Sequence, residues 1–204
     1  GFESAGAKYE FVTETVGNRR RLNLYAVFTA ITMAGFIVFP LLAYHYKALG
    51  ILTDVEIPVF YASAMGVDAV VALAVGRAYD RYGLRVLFFV PAVGLAIPLV
   101  AFSSLYGAAL LGAVLWGASM GMQETVLRAA VADFTPTGGR GFTYGIFNTI
   151  YGGAWFAGSV IIGALYTAGV IYAAGFMFLV QCAAVPVLWL LLWESRRTSG
   201  ISQS

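Results

Sequence analysis

Two long stretches without a charged side chain, residues 86–123 and 141–193, constrain this chain more than any other feature. A helix that crosses a bilayer needs about 20 mostly apolar residues, because each residue rises about 1.5 Å through roughly 30 Å of hydrocarbon. Each stretch is therefore long enough for two crossings. The whole chain is only 11% charged and 60% hydrophobic, which leaves too little polar surface to cover a water-soluble globule.

The apolar runs predict an all-α integral membrane protein with six transmembrane helices. They are too long and too continuous for the short alternating strands of a membrane barrel. Ser103-Ser104 and the sequence 167–169 divide the two uncharged stretches. The predicted spans are 22–44, 57–78, 86–102, 106–132, 141–166 and 170–193, with polar cytosolic tails at 1–21 and 194–204.

The distribution of positive charge predicts the orientation. With six spans, Lys47 is the one member of the 12 lysines and arginines that falls on the outer side. Loops rich in lysine and arginine stay in the cytoplasm. We therefore expect a multi-pass protein of the cell membrane, plasma or inner, with both termini in the cytoplasm.

Local signals refine the helices. Thr53 and Glu56 have the spacing of a capping box at the start of the second span. Prolines inside membrane helices are tolerated and bend them. They occur at Pro40, Pro91, Pro98 and Pro186.

The segment 76–85 after the second span carries a recognisable pattern of glycine, acidic and basic residues. Its sequence is similar to the cytoplasmic loop signature of major facilitator transporters, and the matching residues are Gly76, Asp80, Arg81, Gly83 and Arg85. Leu84 departs from the signature at a position that is often basic. The resemblance implies that this loop latches two halves of a transporter together on the cytoplasmic side.

A second match follows the fourth span. The sequence 133–141 resembles the family's link into the fifth helix through Asp133, Pro136 and Arg140. The fifth span then carries repeated glycines, and Gly158 and Gly163 have a spacing that lets helices approach closely. It lacks the proline of the antiporter version, so symport and antiport stay unresolved.

The resemblance implies one six-helix half of a major facilitator fold, built from two inverted three-helix repeats. Its C-terminal half is slightly favoured by the polar N-terminal stretch. The expected partners are the lipid bilayer, a second six-helix half and a small-molecule substrate, with no nucleic acid. That second half would be a separate chain, a missing part of the same chain, or a second copy. Residues expected to line the path are Tyr25, Thr29, Gln123, Asn148 and Trp155.

Three ionisable residues lie within the predicted spans. Charges at this depth are costly and mark functional sites by default. Glu124 and Arg128 are one helical turn apart and are expected to pair, which leaves Asp68 as a candidate for proton or substrate coupling. The competing interpretation is a fixed polar network that closes the cytoplasmic side together with Asp80 and Arg85.

The sequence gives little support for metal binding, a cofactor or enzymatic catalysis. His45 is the one histidine of the chain, so neither a metal site nor a cofactor is expected. Gly117, Ser119 and Gly121 match a Gly-x-Ser-x-Gly pattern, but a serine nucleophile needs a base within reach, and His45 lies near the outer surface. The pattern is better interpreted as small residues at a helix contact. Tyr61 and Trp116 are expected to have interfacial or packing roles.

The sequence therefore predicts a non-enzymatic permease half that helps to form an alternating-access pathway for a small solute, with proton coupling as one option. The alternative is a membrane scaffold or regulatory subunit that has the same fold and transports nothing.

Overall fold

The computed structural model describes residues 20–134 and 140–201, and within these ranges the chain is helical and contains no strand. A 3₁₀ segment, Gly83–Phe88, joins the third helix to the fourth. The helices are α1 (20–34), α2 (Phe39–Ala48), α3 (Glu56–Tyr82), α4 (Phe89–Val100), α5 (Tyr106–Phe134), α6 (Arg140–Ala168) and α7 (Val170–Ile201).

Four stretches of the described chain are long and apolar enough to cross a membrane: Arg20–Ala48, Glu56–Val100, Gly141–Ala168 and Val170–Arg196. The second of them has 45 residues and contains both α3 and α4. These features make the chain an all-α membrane protein. The division into six spans stays a prediction.

The first membrane stretch is a broken helix. Residues 35–38 are not helical, and α2 restarts with Pro40 in its first turn. Unwound backbone inside a membrane must find hydrogen-bond partners within the protein. Here the indole Nε1 of Trp116 donates to the carbonyl oxygen of Ile37 at 2.8 Å. The bend expected at Pro40 is thus a full interruption that α5 supports.

The connection from α3 to α4 is tight. Helix α3 continues past the predicted boundary at 78 as far as Tyr82, because nothing before Gly83 interrupts it. Gly83 has φ 59° and ψ −143°, a region that is essentially restricted to glycine. Gly76, Asp80 and Arg81 of the signature are therefore helical, and Gly83 makes the turn.

Glycines bring the helix backbones together at several crossings. A Cβ added at Gly117 would collide with the backbone of Ala64, and one added at Gly158 would collide with Ala34. Gly94 of α4 leaves room for the side-chain amide of Gln181 on α7, whose Nε2 donates to the carbonyl of Thr32 at 3.1 Å. Small residues at contacts of this kind are what packing between membrane helices requires.

Gly117 and Gly121 of α5 both face α3, since a Cβ added at Gly121 would collide with the backbone of Asp68. This contact agrees with the interpretation of the Gly-x-Ser-x-Gly pattern as a packing motif. In contrast, Gly145, Gly152, Gly153 and Gly163 of α6 have open space where a side chain would stand. Of the fifth-span glycines singled out from the sequence, Gly158 is the one that makes a close approach to another described helix.

Candidate functional site

A cleft of about 1020 Å³ opens between α2, α3, α5 and α6. Its wall begins at the break in the first membrane stretch and ends at two carboxylates. No lining residue comes from α4 or α7. The lining residues are Val38, Phe39, Pro40, Ala43, Ile57, Pro58, Tyr61, Met65, Asp68, Trp116, Met120, Glu124 and Trp155.

Three aromatic rings form one side of this cleft. The ring of Phe39 lies 5.0 Å from that of Tyr61 and 5.2 Å from that of Trp116, centroid to centroid. Tyr61 and Trp116 are themselves 6.4 Å apart. Phe39 is the first residue of α2 and precedes Pro40. The three side chains, called the aromatic cluster below, come from three different helices.

Asp68 lies in the wall of the cleft on α3. Its Oδ1 is buried and has no hydrogen-bond partner among the described residues. The backbone of α5 passes directly behind it, because a Cβ on Gly121 would lie 2.8 Å from that oxygen. A carboxylate oxygen held without a partner against a helix is costly.

Glu124 shares the cleft with Asp68 and forms the predicted pair with Arg128. The distance from Arg128 Nη2 to Glu124 Oε1 is 4.0 Å, and the side chains are 51% and 39% exposed. This is a loose contact between two partly exposed side chains. Arg128 itself is not part of the cleft wall.

The family model described as Major Facilitator Superfamily matches residues 24–203. The chain belongs to this superfamily of membrane transporters. It is 43% identical over 143 residues to uncharacterized proteins of Mycobacterium bovis and Mycobacterium tuberculosis. The match covers 70% of this chain and 35% of each relative, so the chain spans about a third of the length of these relatives. No solved structure matches the chain.

The residues predicted to line the path of this major facilitator protein are not all in one place. Trp155 lies in the cleft wall, and its Nε1 is buried without a partner among the described residues. Asn148 is exposed on α6, outside the cleft lining. Thr29 is buried, as is Gln123, whose Nε2 donates to Ser119 Oγ at 2.9 Å.

Tyr25 borders a different cavity. It is fully buried, and its hydroxyl donates to the carbonyl oxygen of Leu127 on α5. The cavity beside it has about 260 Å³ and lies between α1 and α6. Of these polar groups, the Tyr25 hydroxyl joins two helices, whereas the hydrogen bond from Gln123 to Ser119 lies within α5.

The sequence did not single out Tyr61 and Trp116 as site residues. Aromatic side chains are frequent in membrane helices, and their order along the chain does not show which of them share a cavity. One sequence signal for the cleft is a pair of prolines. Pro40 lies near the start of α2 and Pro58 near the start of α3, and both line the cleft. Trp116 also has the packing role expected of it, through Ile37.

The signature segment, residues 76–85, lies at the end of the helix bundle that carries Arg81, Arg85 and Asp133, called the charged end below. Asp80, Arg81 and Arg85 are exposed there, and the guanidinium of Arg81 lies 5.5 Å from the ring centre of Tyr82. No ion pair among the described residues joins Asp68, Asp80 or Arg85 to the Glu124–Arg128 pair. The polar network considered as the alternative stays a prediction.

The second link contributes one described contact at this end. The hydroxyl of Tyr79 donates to Asp133 Oδ2 at 2.6 Å and so ties α3 to α5. Asp133 also borders a cavity of about 420 Å³ with Arg85 and Arg196. Pro136 lies outside the described residues, and Arg140 is the first residue of α6.

The remaining candidates for chemistry are His45 and a metal site. His45 is buried, and its Nδ1 lies 2.8 Å from the hydroxyl of Tyr166 on α6. Over the part of the chain that is described, no group of three or more His, Cys, Asp or Glu side chains is placed to hold a metal ion.

Proposed function

We propose that this chain forms one half of an alternating-access permease for a small solute. The residues that line the cleft form the part of the transport path that this half contributes. The cleft carries the proposal, because it places Asp68 and Glu124 beside one space of about 1020 Å³ within helices of a membrane transporter. Ionisable groups at such positions in transporters serve substrate or ion binding. The alternative of a scaffold that transports nothing does not account for an unpartnered carboxylate.

The topology that we propose has six spans with both termini in the cytoplasm. Three of the four apolar stretches provide one crossing each, and Glu56–Val100 provides two through α3 and α4. Helix α5 provides the sixth. In this arrangement Arg77, Arg81, Arg85 and Arg128 lie on the cytoplasmic side with the tails.

The distribution of the cleft lining supports two inverted repeats of three helices. We divide the chain into a first unit of α1 to α4 and a second unit of α5 to α7. The lining comes from the first and second spans of each unit and not from the third, α4 or α7. Equivalent roles for equivalent spans are what a repeat relationship predicts.

A second six-helix half would close the open side of the cleft. Substrate sites of transporters built from repeats lie at the interface between the repeats, near the midplane. This chain spans about a third of the length of its mycobacterial relatives, so a further part of the same protein is one source of that half. A separate chain and a second copy are the others.

Proton coupling would use Asp68. Its buried Oδ1 has no partner among the described residues, whereas Glu124 lies near Arg128. The carboxylate that gains and loses a proton during transport must be free of a permanent counter-charge. Asp68 meets this requirement better than Glu124 does.

Transport by the full-length protein in proteoliposomes tests the proposal. Uptake of a panel of organic cations, anions, sugars and neutral amphipaths is measured while an internal dye follows pH. Asp68→Asn should abolish solute-driven proton movement, and Asp54→Asn, an exposed carboxylate that pairs with Lys47, should not. Uptake without proton movement would remove proton coupling and keep the permease. Folded protein that moves none of the solutes would favour the scaffold.

A further inference from the structure

We infer that the cleft binds a lipophilic organic cation, a compact apolar body that carries one positive charge. The inference rests on the proposed function and deepens it, because it names the class of solute that this wall of the path would recognise. It follows from the charge of the lining, from the aromatic cluster and from the scarcity of hydrogen-bonding groups.

Among the described residues, the charge of the lining is negative. Asp68 and Glu124 are its acids, and none of the described lining residues is a lysine, arginine or histidine. An anion in this space would lie next to Asp68, which no basic group of the described wall balances, and next to Glu124, whose Oε1 lies 4.0 Å from Nη2 of Arg128 outside the wall. A cation that leaves water for an apolar cleft needs a counter-charge, and the carboxylate of Asp68, which lines the cleft and forms no ion pair among the described residues, offers one.

The aromatic cluster favours the same charge. Ring faces are negative, so a cation within about 6 Å of a ring centre is attracted to it. Of the three rings, Tyr61 is 45% exposed and leaves its ring accessible from the cleft, whereas Phe39 and Trp116 are 6% and 3% exposed and pack against it. The rings also provide apolar contact for the body of the solute.

The remaining lining excludes strongly polar solutes. Apart from Trp155, it consists of aliphatic, methionine and proline side chains such as Val38, Ala43 and Met65. A sugar or a zwitterion would leave many hydroxyl or amine groups unpaired against such a wall, at a cost for each. The volume of about 1020 Å³ lies at the upper end of the range of roughly 300–1,000 Å³ usual for drug-sized ligands.

A pair of probes with the same shape and opposite charge tests the inference. Tetraphenylphosphonium and tetraphenylborate differ chiefly in the sign of their charge. Their equilibrium binding to the purified full-length protein in nanodiscs is measured by calorimetry, with protein-free nanodiscs subtracted. The phosphonium ion should bind at least roughly tenfold more tightly, since one decisive charge interaction is enough for a factor of ten. Equal binding, or tighter binding of the borate, would overturn the inference.

Variants identify the site. Asp68→Asn should weaken phosphonium binding by about tenfold or more, and Asp54→Asn, outside the cleft, should leave it unchanged. Tyr61→Leu keeps the apolar volume and removes a ring, so it should weaken binding several-fold. If Asp68→Asn does not fold, the effect of Tyr61→Leu on phosphonium binding decides whether the ligand lies in the cleft. Phosphonium binding that none of the cleft variants alters would place the ligand elsewhere and refute the inference.

The outcome is separable from that of the proposed function. If the protein takes up a neutral or anionic solute and does not bind phosphonium, the permease stands and the cation class is wrong. If phosphonium binds at Asp68 but no solute crosses the membrane, the binding class stands and the transport role is wrong.

Discussion

The backbone of α5 at Gly121 lies so close to Asp68 that a Cβ added there would stand 2.8 Å from the Asp68 Oδ1. The absent side chain lets the carboxylate sit in the cleft wall while α3 and α5 stay in contact. Gly121 therefore sets the position of the unpartnered carboxylate of the cleft, and its replacement has a predictable effect.

We expect Gly121→Ala to destabilise the protein and to impair transport, because the new methyl group must push Asp68 or the backbone of α3 away. Overpacking of this kind costs about 1–3 kcal/mol. Thermal unfolding in detergent and uptake in proteoliposomes measure the two effects. Gly107→Ala is the matched control on the same helix, since Gly107 has nothing within 4 Å of the added Cβ. Equal behaviour of the two variants would contradict the assigned role.

Trp116→Phe should lower stability by about 1–3 kcal/mol, because the carbonyl of Ile37 at the helix break would lose its donor while staying buried. Trp155→Phe is the comparison, since Trp155 also lines the cleft but its Nε1 has no partner to lose among the described residues. The difference in unfolding temperature between the two variants is the measurement. If both lose the same stability, the Ile37 hydrogen bond does not support the break.

The acidic part of the site could be predicted from the sequence because a charge within an apolar run stands out. Asp68 and Glu124 were found in this way, and both line the cleft. Gln123 was predicted to line the path because it is a polar residue on the fourth span, but it is buried and donates to Ser119 on the same helix. Neighbouring positions on a helix point in directions about 100° apart, so residue type reveals the helix but not the face.

The broken helix shows a second limit of the sequence. Pro40 predicted a bend, but the extent of the interruption at 35–38 depends on Trp116, which lies far away along the chain. In the same way, the aromatic cluster brings together three helices whose pairing no local pattern reveals. The turn at Gly83, by contrast, depends on one residue and its neighbours, and Gly83 is among the residues that match the loop signature in the sequence.

Gly83→Ala should destabilise the turn between α3 and α4 by about 1–3 kcal/mol, because φ 59° with ψ −143° is a conformation that a residue with a side chain avoids. Gly76→Ala, seven positions earlier on α3, is the control. Its added Cβ would make an ordinary contact with Thr125 at 3.5 Å, and alanine favours the helix. Unfolding temperatures should fall for the first variant and stay equal or rise for the second. The reverse order would mean that the turn tolerates other backbone angles.

Tyr79→Phe tests whether α3 and α5 are tied together at the charged end of the bundle. The change removes the hydroxyl that donates to Asp133 Oδ2 at 2.6 Å and keeps the ring. Hydrogen bonds to charged groups contribute about 1.5–3 kcal/mol, so a loss in that range is expected from chemical or thermal unfolding. Tyr82→Phe is the matched control, because the Tyr82 side chain is 56% exposed and should lose almost nothing. A double variant with Asp133→Asn separates the bond from other effects. If Tyr79→Phe costs as much in a protein that already carries Asp133→Asn as it does alone, the two residues are not coupled, and this contact does not hold the helices together.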